Sequence, residues 1–239
     1  GIIVPKELNI KTVDAISPYN EQITIISKHI GAQYPRQSMK DASSASMMDP
    51  ITQVTKVHNV SILDASKRSL EENLVFSLIK DYPDEYGRCL ANVAFNSYVN
   101  MYGDAAILAA DASRDAENSP NTVLSSAISI IGKGRIKKVS EIVATLIDLF
   151  QHTKLENSTD NFDYSSILKG ISGEQKTLLK AEKGDTLASI MLSQIERFKN
   201  KSVFINFVKE VCGSNPSSNA LLAAIWTTLG WNALIRKKI

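Results

Sequence analysis

Residues 136–151 place the tightest constraint on what this chain can fold into. At about 100° per residue, Ile136, Val139, Ile142, Val143, Leu146, Ile147, Leu149 and Phe150 fall within one arc. Lys137, Glu141, Ala144, Asp148 and Gln151 fill the opposite side. A helix with so broad an apolar stripe must be covered by other apolar surfaces, and the rest of the chain offers mostly further helices to do it.

Helix punctuation recurs along the chain. Ser17-Pro18 opens a segment closed by Gly31, with Ile23, Ile26 and Ile30 on one face. Ser69 with Glu72 forms a capping box ahead of Leu70, Leu74, Val75, Leu78 and Ile79, and Pro83 stops that helix. Glu85 to Ala112 reads as helical and Ala-rich, with a break at Gly103. Ser119-Pro120 opens the next helix, which ends at Gly132. Ser172 with Gln175 forms a second capping box, and Asp185 caps a helix carrying Leu187, Ile190, Met191, Ile195 and Phe198. Val203 to Val211 follows, and Asn215-Pro216 starts a last run with Leu221, Leu222, Ile225, Trp226 and Leu229.

Two regions depart from this pattern. Residues 35–50 are small, polar and bracketed by prolines, which predicts a loop. Residues 51–63 set Ile51, Val54, Val57, Val60 and Leu63 at a period of three, and their β-branched content leans towards extended structure. The expectation is a mainly α, multi-helix fold with at most a minor extended segment near 51–63. The break at "SRDAENSP", where the charge changes sign, predicts two helical lobes, 1–118 and 119–239. Residues 1–119 hold 11 basic and 15 acidic side chains, whereas residues 120–239 hold 16 and 10. The first lobe is therefore acidic and the second basic.

Common catalytic signatures fail one by one. Gly132 and Gly134 start a dinucleotide fingerprint, but Lys137 stands where its third glycine belongs. The stretch before them opens as a helix, and no Walker loop follows. The acidic alternation from Asp111 to Glu117 lacks the glycine and the bidentate glutamate of a calcium loop. Histidines 29, 58 and 152 are scattered, and Cys89 and Cys212 stand alone, so neither a zinc site nor a redox CxxC pair is expected. The longest apolar run, Ala220 to Trp226, falls far short of the roughly 20 residues that span a bilayer. The sequence therefore predicts a soluble, intracellular or cytoplasmic protein without cofactor or metal, not an enzyme, and without a membrane partner.

Basic residues are the remaining chemical signal. Lys133, Arg135, Lys137 and Lys138 fill the junction between two helices, Arg197, Lys199 and Lys201 cluster at another helix end, and Arg236 to Lys238 close the chain. Phosphate oxygens are held by such side chains, although basic residues also favour helix C-terminal turns through the dipole. Tyr34, beside Arg36 and Lys40, is a candidate base-stacking residue. These features predict a nucleocapsid-like, sequence-nonspecific protein that binds RNA or another polyanion and self-associates into a homo-oligomer. A rival expectation is a helical assembly or scaffold protein that docks through Leu222, Ile225, Trp226 and Trp231. A third is a helical enzyme whose site is assembled from dispersed residues.

Overall fold

The computed structural model describes residues 46–49, 51–97 and 104–239. Tyr34, Arg36, Lys40 and the helix expected from Ser17 to Gly31 lie outside the described residues. The chain divides into two compact units, Gly1–Asp64 and Ala65–Ile239.

In the first unit the described residues form a small antiparallel sheet in the order β1-β2-β3. Its strands are β1 (Ser46–Met48), β2 (Thr55–Val57) and β3 (Val60–Ser61). Met47 pairs with Lys56, and Val57 with Val60. The turn between β1 and β2 is organised by Asp49. Its Oδ1 accepts the backbone N–H groups of Ile51 and Thr52, and its Oδ2 takes Lys56 Nζ at 2.8 Å. Those contacts hold the Asp49 carboxyl well below the usual carboxylate range. Residues 46–48, expected as loop, are thus a strand, because 55–57 supplies the ladder that a local reading of 35–50 cannot see.

The second unit is helical: α1 (Leu70–Ile79), α2 (Glu85–Ser97), α3 (Ala105–Asp115), α4 (Pro120–Ile130), α5 (Lys137–Phe150), α6 (Ser165–Gly170), α7 (Gly173–Leu179), α8 (Thr186–Arg197), α9 (Val203–Cys212) and α10 (Ser218–Ile235). Both expected capping boxes are present, Ser69 with Glu72 and Ser172 with Gln175. Pro120 opens α4, and Asp185 caps α8 through Ala188 N at 3.0 Å. The last helix starts two residues later than its Asn-Pro pair suggests. Ser217 is its cap, while Pro216 forms an isolated antiparallel bridge with Lys180.

The core gathers around α10, which packs against α1, α2, α5, α7, α8 and α9. α10 is apolar on all sides, the pattern of a helix surrounded by others. On α5 the apolar arc is buried through Val139, Ile142, Leu146 and Phe150. Phe150 is the hub of an aromatic cluster, with ring centroids 4.9 Å from Phe204, 5.2 Å from Phe207, 5.3 Å from Phe162 and 6.5 Å from Trp231. Trp231 keeps its one donor satisfied by giving it to Leu155 O at 3.1 Å.

A polar hub ties α2 to the turn before α9. Tyr86 OH donates to Asn200 Oδ1 at 2.7 Å and accepts the backbone N–H groups of Lys201 and Ser202 at 3.1 Å each. Burial raises the Tyr86 pKa, and those two N–H groups oppose the rise. Next to it, Ser202 caps α9 and its hydroxyl meets Thr228 Oγ1 at 2.6 Å. The turn that carries Lys199 and Lys201 is thereby pinned to the core.

The division after Asp64 differs from the boundary expected near 113–120. α3 and α4 flank that expected boundary and pack chiefly on each other. The charge change there marks the tip of a helical hairpin, and α1 and α2 join the same core as α5 to α10.

Candidate functional site

An open groove of about 1250 Å³ lies in the second unit. One wall is α5, through Lys138 and Ile142, and another is α7, through Glu174, Thr177 and Leu178. The segment Lys180 to Asp185 and the starts of α8 and α10 complete it.

Its floor is fixed by a non-local backbone contact. Ser217 N–H donates to Leu179 O at 3.0 Å, and Ala181 N–H donates to Asn215 O at 3.2 Å. Asn215 Nδ2 adds a bond to Ala181 O at 2.9 Å. Asp185 fastens the two helix starts together. Its Oδ1 accepts Ala188 N–H, and its Oδ2 accepts Ser218 N–H at 2.7 Å. Burial pushes the Asp185 pKa up, but these backbone donors outweigh it and leave the group lowered, hence ionised at neutral pH. Asp185 is thus consumed by structure.

The groove also carries Lys138, Lys180 and Lys183, with Glu174 and Glu182. Among the described residues none of these three lysines belongs to an ion pair. Three exposed ammonium groups facing one groove suit carboxylate or phosphate oxygens. Thr177, Thr186, Ser217 and Asn219 add neutral hydrogen-bonding groups to the lining, and no histidine contributes. Among the described residues no group of three His, Cys, Asp or Glu side chains could hold a metal ion.

The basic residues singled out in the sequence are distributed differently. Lys133 and Arg135 lie on the 3-10 turn Lys133–Ile136 that leads into α5. Lys137 faces Glu141 at 3.9 Å, and Arg197 donates to Gln194 Oε1 at 3.3 Å. Arg236 and Lys238 both approach Asp81. Of Lys137, Lys138, Arg197, Lys199, Lys201 and Arg236 to Lys238, Lys138 alone lines the groove. Sequence reasoning missed Lys180 and Lys183. They sit in a short link after a capping box, and only the pairing of 179–181 with 215–217 brings them opposite Lys138.

The apolar candidates also have settled places. Leu222, Ile225 and Trp231 are buried in the core, and Trp226 packs edge-on against Phe95 with centroids 5.8 Å apart. Their surfaces already face the chain's own helices. No described helix is long and apolar enough to cross a membrane.

No family model matches the chain, and no curated protein matches it. Among solved structures the fold is similar to that of citryl-CoA lyase from Hydrogenobacter thermophilus, with a TM-score of 0.53 and 13% identity over 79% of each chain. At that identity the likeness speaks for the fold and carries over no residue roles. It nevertheless corrects the expectation of a non-enzymatic, RNA-binding protein of nucleocapsid type, since the architecture is one that an enzyme uses. What this chain shares with that protein is a helical fold.

Proposed function

We propose that this protein is a helical enzyme whose groove between α5, α7 and the starts of α8 and α10 binds an organic anion. The single observation that carries the reading is the convergence of Lys138, Lys180 and Lys183 on that groove, none of them engaged in an ion pair among the described residues. A multiply charged carboxylate or phosphate ester satisfies three ammonium groups at once, which a neutral ligand cannot do. The rigid floor formed by 179–181 and 215–217 holds two of the four sides in fixed register. For proton transfer the groove supplies the carboxylates of Glu174 and Glu182 beside its lysines.

The structural neighbour's name supplies the first ligand to try, citryl-CoA, with citrate as its smaller relative. Calorimetric titration of the whole chain with each is the test. Saturable binding that is lost in Lys180→Glu with Lys183→Glu supports the reading. Absence of binding by the wild type to both ligands refutes the anion class chosen here. Free Cys89 and Cys212 suit a reducing compartment for such an enzyme.

A further inference from the structure

The hairpin of α3 and α4 has an inverted amphipathy. Its seam is built from small residues, Ala106, Ala109, Ala110 and Ser113 meeting Val123, Ser126 and Ala127, none of which is exposed. Ser126 Oγ donates across the seam to Ala109 O at 3.2 Å. The large side chains point the other way. Leu124, Ile128 and Ile131 are 62%, 58% and 52% exposed, and on α3 Leu108 is 57% exposed. Ala106 is the only buried residue of α3, and α4 has none. Two helices of about three turns joined by a seam of alanine and serine are marginal by themselves.

Leu124, Ile128 and Ile131 stand at i, i+4 and i+7, so they form one stripe along α4 and its end. Charge is polarised along the same hairpin. At the tip Asp111, Asp115 and Glu117 surround one cation, Arg114, which pairs with Asp111 and Asp115. At the other end the sequence places Lys133, Arg135, Lys137 and Lys138 against one acid, Glu141.

We infer that this stripe is the contact face of a two-fold dimer in which α4 packs antiparallel on α4 of a second copy. A two-fold contact needs a patch that complements itself, and an antiparallel pairing about Ile128 provides one. Leu124 of each copy meets Ile131 of the other, and Ile128 sits next to the axis. The same operation lays the acidic tip of each hairpin towards the start of α5 in the other, with Glu117 on the side of Lys137. The pairing removes from water the apolar groups that the seam leaves exposed. This inference is independent of the anion groove: failure of either leaves the other standing.

Sedimentation equilibrium of the full chain over a wide concentration series tests the contact. The expected result is a monomer–dimer equilibrium with a limiting mass of twice 26.2 kDa. Leu124→Glu with Ile128→Glu replaces exposed side chains, so circular dichroism stays unchanged while dimerisation weakens by about tenfold or more per charge. Glu117→Lys alone also weakens the dimer, and adding Lys137→Glu restores it. In a Cys89→Ser background, Ile128→Cys yields a covalent dimer on mild oxidation, because the two positions face each other at the axis. A wild type that stays monomeric, whether its stripe is bare or covered by another part of the chain, overturns the inference. So does a mass that keeps growing past the dimer, or a dimer indifferent to the Leu124 and Ile128 substitutions.

Discussion

Phe150→Ala is the perturbation that the core geometry makes most quantitative. Phe150 is fully buried, and its ring contacts four other aromatic rings, two from α9, one from α10 and one from the segment between α5 and α6. Truncating a buried phenylalanine costs about 3–5 kcal/mol through lost transfer energy and the cavity left behind. Edge-to-face ring pairs are each worth roughly 0.5–1.5 kcal/mol beyond area. Four partners held by three separate segments cannot all collapse into the void, which places the cost at about 4–5 kcal/mol. Against a typical stability of roughly 5–15 kcal/mol this is a large share. With a urea slope of about 2 kcal/mol per molar, the midpoint falls by roughly 2 M. Both tryptophans lie on α10, so their fluorescence follows the same core during urea titration. Phe150→Leu keeps most of the volume and costs less than about 2 kcal/mol. A loss below about 1 kcal/mol for the alanine variant, or equal losses for the two, would refute the reading of Phe150 as the hub of the core.

Four further outcomes follow from single sites. Asp185→Ala removes the cap of α8 and the acceptor of the first N–H of α10, and lowers stability by about 1–2 kcal/mol in denaturant titration. Because the folded pKa of Asp185 is depressed, its contribution is present above the unfolded carboxylate range and lost as pH falls through the folded value; in acid titration Asp185→Asn should flatten the fall in stability below about pH 4. Gly213 closes α9 at φ +60° and ψ −121°, so Gly213→Ala should cost about 1–3 kcal/mol although no atom lies within 4 Å of the added methyl. Burial pushes the Cys212 thiol up to about 11, so a thiol reagent should label Cys89 first and reach Cys212 only on unfolding.

The fold was legible wherever the signal was local. Both capping boxes, the opening proline of α4 and the arc of α5 are short-range features, and the structure has each of them. The all-round apolar character of α10 was also on view. It marks a helix enclosed by others, and that signal argues for Leu222, Ile225 and Trp231 in the core instead of on a docking face. Non-local features were not legible. The strand at Ser46–Met48 exists because of its partner at Thr55–Val57, in a stretch whose composition reads as loop. The groove depends on Lys180 pairing with Pro216, a bridge between two links that have no periodicity of their own. Counting charge along the chain did find a basic second half, but charge counting cannot tell a lysine facing an acid from one facing a groove. Lys137 and Lys138 are neighbours in sequence; the first meets Glu141 and the second lines the cavity.

Hydrogen exchange read by mass spectrometry, with and without citryl-CoA, reports where on the chain an anion sits. The floor and rim of the groove are backbone segments, so occupancy must slow their exchange. Protection should concentrate in residues 173–187 and 215–219, and Lys180→Glu with Lys183→Glu should remove it. Protection elsewhere, or an unchanged pattern at saturating ligand, would contradict the assignment of this groove as the binding site.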